Sequence, residues 1–285
     1  MKKIITLCSL ALLFACSTDN RSEEISNTNA EQLSSEVEQQ EQRIISLNGT
    51  ATEILLGLGI KQELVGVDVT SANYSQAQNL GHTSRMAVEP ILNLNPTLLI
   101  YKTGELNAQL IQQLQEMKVE LLELKPEYTV NSVNAIVDQI ANAVGKQEEA
   151  TALKLEENFA HRFQLEKAPK VVFIYARGPG AMQMAGAGTA ETKIIQMAGG
   201  VNPFDFEQYR PVTAEALVKA NPDFVLMYNS GFKSLEQANG LKAIPGIMET
   251  TAGKNNALIT MDANILHNFS ISLPKAVEEL HNAIQ

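Results

Sequence analysis

Cysteine is almost missing from this chain of 285 residues, and its two copies, Cys8 and Cys16, lie within the first sixteen positions. Residues 17–285 therefore offer no thiol for a disulfide bond, a zinc site or an iron–sulfur cluster. Tryptophan is absent, and histidine occurs only four times, at widely separated positions. These absences exclude thiol nucleophiles and thiolate metal centres from everything after Cys16.

Sequence motifs of common enzymes are missing as well. The chain contains no Gly-x-Ser-x-Gly elbow and no His-Glu-x-x-His pair. The glycine-rich segment Gly178–Gly188, predicted to be a loop, lacks the Gly-Lys-Ser/Thr ending of a phosphate-binding loop, which excludes nucleotide binding there. We therefore expect a protein that binds a ligand and not an enzyme.

Basic charge is also scarce. The whole chain has a net charge of −10; residues 17–42 carry −6 and the two lysines before them +2, which leaves −6 for residues 43–285. An acidic body without a basic block argues against nucleic acid as a partner. Residues 17–42 are rich in Ser, Glu, Gln and Asn, a composition typical of a disordered tether.

The amino terminus has the pattern of an export signal. Lys2 and Lys3 precede an apolar run that ends at Phe14 and is too short to span a bilayer, so residues 1–15 are predicted to be a signal peptide. The stretch Leu13-Phe14-Ala15-Cys16 resembles the lipobox of bacterial lipoproteins, which implies cleavage before Cys16 and lipidation of its thiol. An ordinary signal peptide with an incidental cysteine is the alternative.

Residues 43–285 alternate short apolar runs with helical periodicity, which predicts an α/β fold with parallel strands. Strands are predicted at 43–47, 65–67, 98–101, 119–124 and 170–175, and helices at 50–58, 89–94, 106–117 and 189–198. One long helix is predicted from Ser132 to about Phe163. These elements predict an N-terminal lobe (43–131), a bridging helix (132–168) and a C-terminal lobe (169–285).

An internal repeat supports two similar lobes. The segment Ala87–Pro96 matches Thr213–Pro222, 126 residues later, and an apolar strand follows each copy. A repeat on this scale indicates a duplicated lobe and not a solenoid of small units. Two α/β lobes joined by one helix enclose a cleft, which is where ligands usually bind.

Taken together, these features resemble the substrate-binding proteins of importers for haem, cobalamin and ferric siderophores. The resemblance covers the whole body and is carried by Arg43–Leu47, Thr52–Gly59, Leu64–Asp68, Glu89–Pro96, Glu215–Asp223 and Ile244–Gly246. It implies two Rossmann-like lobes with parallel sheets joined by a single long bridging helix. It also implies a monomer that works with an ABC permease dimer and its ATPase, on the outer side of a bacterial membrane or in the periplasm.

Three stretches resemble the haem-binding branch of that family: Gly66–Tyr74, Met184–Asn202 and Tyr209–Leu217. The resemblance implies that haem is the transported ligand and that Tyr74 ligates its iron. A phenolate is a hard anionic donor that suits ferric iron. This chain departs from the branch at Ser75, where relatives often have proline.

Several cations and polar residues are candidates for the haem pocket. His82 and Arg85 are candidates to stabilise the phenolate; His82 is also a candidate second axial ligand or propionate contact, with an exposed loop histidine as the alternative. Arg177 suits a propionate, since a guanidinium binds carboxylates bidentately. Tyr209 and Arg210 are weaker candidates on the opposite wall. The remaining histidines are expected to be structural or exposed: His161, His267 and His281.

Glu89 and Glu215 occupy the same position in the two copies of the repeat. The resemblance implies that each docks onto arginines of one half of a two-fold symmetric permease. An acid in the first turn also stabilises the helix dipole, and the two readings are compatible. Three alternatives stay open: a cobalamin or siderophore binder of the same family, an enzyme on a two-lobed α/β scaffold, and a sensor lipoprotein without a transporter.

Overall fold

A computed structural model describes residues 42–73, 75–236 and 240–285. Its first sheet has the strand order β3-β2-β1-β4-β5, and all paired strands are parallel. The strands are β1 (Ile44–Ser46), β2 (Leu64–Val67), β3 (Gln78–Asn79), β4 (Leu98–Lys102) and β5 (Glu120–Leu124). Helices α1 (Gly49–Gly57), α2 (Val88–Leu92), α3 (Ala108–Glu116) and α4 (Val130–Ala143) complete this lobe.

Both faces of this sheet are buried. Along β4, Leu98 and Ile100 pack into one hydrophobic cluster, whereas Leu99 between them packs into another on the opposite face. Alternation of this kind is expected when helices cover both sides of a parallel sheet. The predicted α/β fold with two lobes is confirmed.

The second sheet has the order β10-β9-β6-β7-β8. Its strands are β6 (Val171–Ala176), β7 (Met182–Ala185), β8 (Tyr209–Pro211), β9 (Phe224–Tyr228) and β10 (Leu258–Met261). The helices that accompany it are α6 (Ala190–Met197), α7 (Ala214–Ala220), α8 (Asn229–Lys233), α9 (Thr251–Lys254), α10 (Ala263–His267) and α11 (Leu273–Ile284).

This second sheet is mixed: the predicted parallel pairing holds among β6, β9 and β10 but not for β7 and β8, and the loop predicted from Arg177 to Gly188 contains a strand. Strand β7 lies inside the predicted loop and runs antiparallel to β6. A tight turn causes the reversal: the Arg177 amide donates to Ala181 O at 2.9 Å, and Gly178 has φ +120°. A short hairpin of this kind can only join antiparallel strands.

The internal repeat falls at equivalent places in the two sheets. Helix α2 precedes β4 and α7 precedes β9, and these strands pair with β1 and β6 respectively. Asn95 and Asn221, each followed by proline, both adopt the left-handed conformation, with φ of 46° and 43°. Asparagine adopts the left-handed conformation more readily than most residues, which explains why both copies have asparagine at this position.

The single long bridging helix predicted at 132–168 is not observed. Helix α4 ends at Ala143 because Gly145 turns the chain with φ +68°. A short helix α5 (Gln147–Ala150) and 3-10 turns at Thr151–Leu153 and Phe159–Phe163 follow. The segment folds back along α4, where Asn134 Nδ2 donates to Leu155 O at 3.0 Å and the Leu155 amide donates to Asn134 Oδ1 at 2.8 Å.

Helix α4 itself joins the two lobes. Val130 and Val133 belong to the core cluster of the second lobe, whereas Ile136, Val137 and Ile140 belong to that of the first. The connection is therefore a short helix shared by two cores. The lobe boundaries drawn from the sequence stay predictions.

The lobes also touch at the first turn of α1. Thr50 Oγ1 donates to Asn268 O at 2.5 Å, and Ser270 Oγ donates back to Thr50 O at 3.4 Å. Gly49 permits this approach, since a Cβ there would lie 2.5 Å from Asn268 Oδ1. A side chain at position 49 would have to displace the Asn268 side chain.

Glu53, one turn further along α1, makes this contact sensitive to pH. Burial raises the pKa of its carboxyl, and hydrogen bonds from Ser272 and Ser270 offset the shift only in part. The folded protein therefore loses stability as pH rises above the usual glutamate pKa of about 4.3.

We expect Glu53→Gln to raise Tm at pH 7 by a few degrees, since about 1 kcal/mol shifts Tm by about 2–4 °C at this size. The difference should shrink at pH 4; a lower Tm of the variant at pH 7 would contradict this explanation.

Candidate functional site

A cavity of about 640 Å³ lies between the two lobes, within the size range of ordinary ligand pockets. It opens beyond the carboxyl ends of β2, β6, β9 and β10, the usual binding edge of such sheets. Residues of the first lobe that line it are Val69, Thr70, Asn73 and His82. Those of the second lobe are Tyr175, Arg177, Gln183, Tyr209, Tyr228, Asn229, Ser230, Asp262, Ala263, Asn264, His267 and Asn268.

A buried aspartate shapes the wall of the first lobe. Asp68 accepts hydrogen bonds from Thr70 Oγ1 at 2.7 Å and from Ser71 Oγ at 3.0 Å, which holds the chain in a turn. The turn brings Asn73 to the cavity. Tyr74, predicted to be the iron ligand, lies outside the described residues.

Tyr175 and Arg177 form a pair on the opposite wall. They stand two residues apart at the end of β6, so their side chains leave the strand on the same face. Arg177 Nε donates to the Tyr175 hydroxyl at 2.5 Å, and the guanidinium carbon lies 5.4 Å from the centre of the ring. The pair offers a hydroxyl supported by a cation, beside further N–H donors of the guanidinium.

A buried carboxylate lies behind the same wall. Glu191, in α6, is fully buried. Its Oε2 accepts from the Tyr209 hydroxyl at 2.6 Å, and its Oε1 accepts from the Tyr228 hydroxyl. His267 Nδ1 lies 3.2 Å from Oε1. Burial and the carboxylate raise the pKa of both tyrosines, so their hydroxyls stay protonated donors.

Glu191 stays ionised in spite of its burial. Burial by itself would raise the pKa of the carboxyl, but the hydrogen bond and the Coulombic attraction from His267, together with hydrogen bonds from Tyr209 and Tyr228, outweigh it and lower the pKa below the usual range. The negative charge is thus held by three donors next to the cleft. This cluster is the main electrostatic feature of the second wall.

Sequence reasoning missed four of these residues: Tyr175, Glu191, Tyr228 and His267. The Tyr175-x-Arg177 alternation at a strand end was a readable signal, because residues two apart in a strand share a face. Glu191 carried no such signal, since an acid in the first turn of a helix usually faces water. His267 was expected to be structural or exposed; it is exposed, and it also lines the cavity.

Among the predicted pocket residues, His82, Arg177 and Tyr209 line the cavity, and Arg85 and Arg210 do not. Arg85 is exposed at the end of a 3-10 turn. Arg210 follows Tyr209 in β8 and so points to the other face of the sheet. There it lies 4.8 Å above the ring of Phe206, in a separate cavity of about 740 Å³.

The two repeated glutamates are both exposed, as docking requires. Glu89 lies in the first turn of α2 and Glu215 in the first turn of α7. Cys16, predicted to be lipidated, lies outside the described residues. Of the remaining histidines, His161 is exposed, and His281 Nδ1 lies 2.9 Å from Ala198 O.

Two further findings concern metal ions and membranes. Across residues 42–73, 75–236 and 240–285, no group of three or more His, Cys, Asp or Glu side chains could hold a metal ion. Within the same ranges, no helix has the length and apolar character needed to cross a bilayer.

Comparison with known proteins gives consistent matches. The model of the family described as periplasmic binding protein matches residues 44–265. YvrC of Bacillus subtilis (strain 168), described as an uncharacterized ABC transporter substrate-binding lipoprotein, is 24% identical over 260 residues, covering 87% of this chain and 81% of YvrC.

Two solved structures are similar in fold and in sequence. RhuT of Roseiflexus sp. RS-1, a periplasmic haem-binding protein in apo form, matches with a TM-score of 0.78 and 29% identity, covering 86% of this chain and 98% of RhuT. HutB of Vibrio cholerae, also a periplasmic haem-binding protein, matches with a TM-score of 0.74 and 28% identity, covering 85% of this chain and 98% of HutB. Both similarities extend across the two lobes.

Proposed function

Because the chain belongs to the periplasmic binding protein family, we propose that it is an extracytoplasmic protein that binds haem and delivers it to an ABC importer for iron uptake. The observation that carries the proposal is the cleft cavity, which combines tyrosine and histidine side chains with a guanidinium. The haem-binding proteins RhuT and HutB, similar over nearly their whole length, favour haem over cobalamin or a ferric siderophore. Uptake, and not catalysis, is the proposed role.

Tyr74 is the proposed iron ligand from the first lobe. Its neighbour Asn73 lines the cavity, and the turn held by Asp68 fixes the chain just before it. Tyr209 and Tyr228 are unsuitable as phenolate ligands, because each hydroxyl donates a hydrogen bond to Glu191 and its pKa is raised. A phenolate is the hard donor that ferric iron prefers.

The haem propionates are proposed to bind Arg177, with His82 as a second contact. Both residues line the cavity, one from each lobe. Arg177 engages Tyr175 through Nε only, and a guanidinium has four further N–H donors on its two terminal nitrogens. Such a fork matches the two oxygens of a carboxylate. Arg85 and Arg210 have no part in this proposal.

Docking on the permease is proposed to use Glu89 and Glu215. Both are exposed and begin equivalent helices, α2 and α7, so each lobe presents one carboxylate in a repeated setting. A pair of this kind suits a two-fold symmetric partner, here a permease dimer with its ATPase. Lipidation of Cys16 is proposed to keep the monomeric protein at the membrane, with residues 17–42 as the tether.

A titration of the purified protein with haemin, followed by absorbance, tests the binding role. We expect a saturable change in the Soret region and a charge-transfer band of ferric tyrosinate type. Free haemin and haemin with serum albumin serve as references for non-specific binding. Absence of saturable binding would refute the proposed ligand.

A further inference from the structure

A second cavity, of about 740 Å³, lies on the face of the second sheet opposite the cleft. Alternation along β7 and β8 separates the two cavities: Gln183 and Tyr209 line the cleft, whereas Met184 and Arg210 line the second cavity. We call this cavity the flank groove; its principal lining residues are Lys170, Met184, Phe204, Phe206, Arg210 and Lys219. The flank groove is therefore separate from the proposed haem site.

The charge of the flank groove is opposite to that of the acidic body. Its charged lining residues are three cations, Lys170, Arg210 and Lys219, and one carboxylate, Asp205. Across the described part of the chain, none of the three cations forms an ion pair. The guanidinium of Arg210 instead lies 4.8 Å above the ring of Phe206. Cations beside an aromatic wall favour an anionic group that is next to an apolar one.

Helix α7 connects the flank groove with a proposed docking residue. Ala216, Lys219 and Ala220 line the groove, and Glu215 lies in the first turn of the same helix. The two alanines leave room for another chain to approach the helix closely. The flank groove and the docking carboxylate therefore belong to one continuous surface.

Exposed apolar side chains extend this surface beyond the groove. Four large apolar side chains are exposed among the described residues, and three of them lie in or around α7: Val201, Val218 and Met248. Val201 lines the groove, and Val218 lies one turn after Glu215. Met248 follows Gly246, where a Cβ would lie 2.7 Å from Ala214 in α7. An exposed apolar surface that continues past a cavity is typical of a contact with another protein.

The two copies of the internal repeat differ at this surface. The position of Lys219 is occupied in the first copy by Asn93, and that of Ala220 by Leu94, which packs against a core cluster. An amide and a large packed side chain thus replace the cation and the small wall residue. A two-fold symmetric partner would therefore meet the flank groove with only one of its halves.

We propose that the flank groove receives an acidic segment of the permease, with a carboxylate beside an apolar side chain, while Glu215 docks on a cation of the same permease half. This inference rests on the proposed function and concerns the docking step alone. Contacts of opposite sign on one lobe fix its register on the permease, because a shifted register would bring like charges together. The asymmetry of the repeat means that one half of the permease supplies the segment.

The test measures how tightly the haem-loaded protein binds the haem permease–ATPase complex of the same organism in lipid nanodiscs. The groove variant, Arg210→Glu with Lys219→Glu, is compared with Lys193→Glu with Lys275→Glu, which changes the net charge equally. Lys193 and Lys275 are exposed on α6 and α11, which pack against the opposite face of the second sheet. We expect the groove variant to bind about tenfold more weakly than this control at low ionic strength, and the difference to shrink in high salt.

A second variant separates the groove from its charges. Ala216→Leu keeps every charge and narrows the groove, so it should also weaken binding to the permease. All variants should retain wild-type haemin affinity, because the flank groove and the cleft lie on opposite faces of the sheet. Equal permease affinity of the groove variant and the control would overturn the inference and leave the proposed function intact, as would undiminished binding by Ala216→Leu.

A photo-crosslinking amino acid in place of Val201 identifies the occupant in cells. The expected product joins this position to a permease subunit, whereas the same amino acid in place of Lys275 should give no such product. A lipid or another protein as the only product at position 201, or no product, would overturn the inference. Failure of the wild type to bind the permease at all would overturn the proposed role in uptake as well.

Discussion

Replacing Tyr74 with alanine is expected to remove the ferric tyrosinate band and to weaken haemin binding by about 100-fold or more, or about 2.8 kcal/mol. The substitution deletes the anionic donor that neutralises part of the iron charge. Contacts with the macrocycle and the propionates remain, so weak binding should persist. Absorbance titration measures the affinity and the spectrum together.

Two matched variants separate ligation from packing. Tyr74→Phe keeps the ring and removes only the hydroxyl, so it should lose the tyrosinate band as completely as Tyr74→Ala. Tyr128→Phe should behave as the wild type, because Tyr128 lines a different cavity and packs edge-on against Phe269. A Tyr74→Phe protein that retains the wild-type spectrum would move the phenolate ligand elsewhere, with Tyr175 next to test.

Simultaneous replacement of Glu89 and Glu215 by alanine is expected to abolish haem uptake while haemin binding stays at the wild-type level. Both carboxylates are exposed at the starts of α2 and α7, and neither lines the cleft cavity. Truncating one partner of a buried, hydrogen-bonded charge pair at an interface costs about 2–5 kcal/mol, so the loss of two such pairs with the permease should lower uptake well over tenfold. Growth on haem as sole iron source measures this in cells.

The matched control for docking replaces Glu120 and Glu279 by alanine. These are also exposed glutamates, one in each lobe, but they do not occupy the repeated position. The control should transport haem normally. Wild-type uptake in the Glu89→Ala, Glu215→Ala double variant would argue for a sensor or scavenger that works without a permease.

The two-lobed fold was predictable because the same sequence of local structures occurs twice in the chain. Both copies of the repeat place a short helix, an Asn-Pro corner and a buried strand in order, and the corner needs the left-handed conformation at Asn95 and Asn221. Alternating strand and helix periods then specify parallel pairing around β1 and β6. The first sheet follows this pattern except at the short edge strand β3, which was not predicted.

The predictions of a loop after Arg177 and of one long bridging helix were wrong because of local turns. The hairpin after Arg177 depends on Gly178, and a glycine-rich segment reads equally well as a loop. The end of α4 depends on Gly145, whose positive φ ends the helix well before Phe163. A single glycine can end a helix or form a turn because it readily adopts a positive φ, and the periodicity of apolar residues does not reveal this.

The candidate site likewise contains residues that the sequence indicated and residues that only the structure revealed. His82, Arg177 and Tyr209 were candidates in the sequence and line the cavity. The cluster of Glu191, Tyr228 and His267 joins three segments far apart in the chain, and only the tertiary fold brings them together. No pattern within a single segment could have indicated it.

Haem, and no other ligand of this family, is proposed to bind in the cleft. Parallel titrations of one purified preparation with haemin, cobalamin and a ferric siderophore, followed by intrinsic tyrosine fluorescence and by absorbance, test it most directly. We expect saturable binding of haemin at low micromolar or lower concentration and no saturable binding of the other two. Tighter binding of cobalamin or the siderophore than of haemin would contradict it.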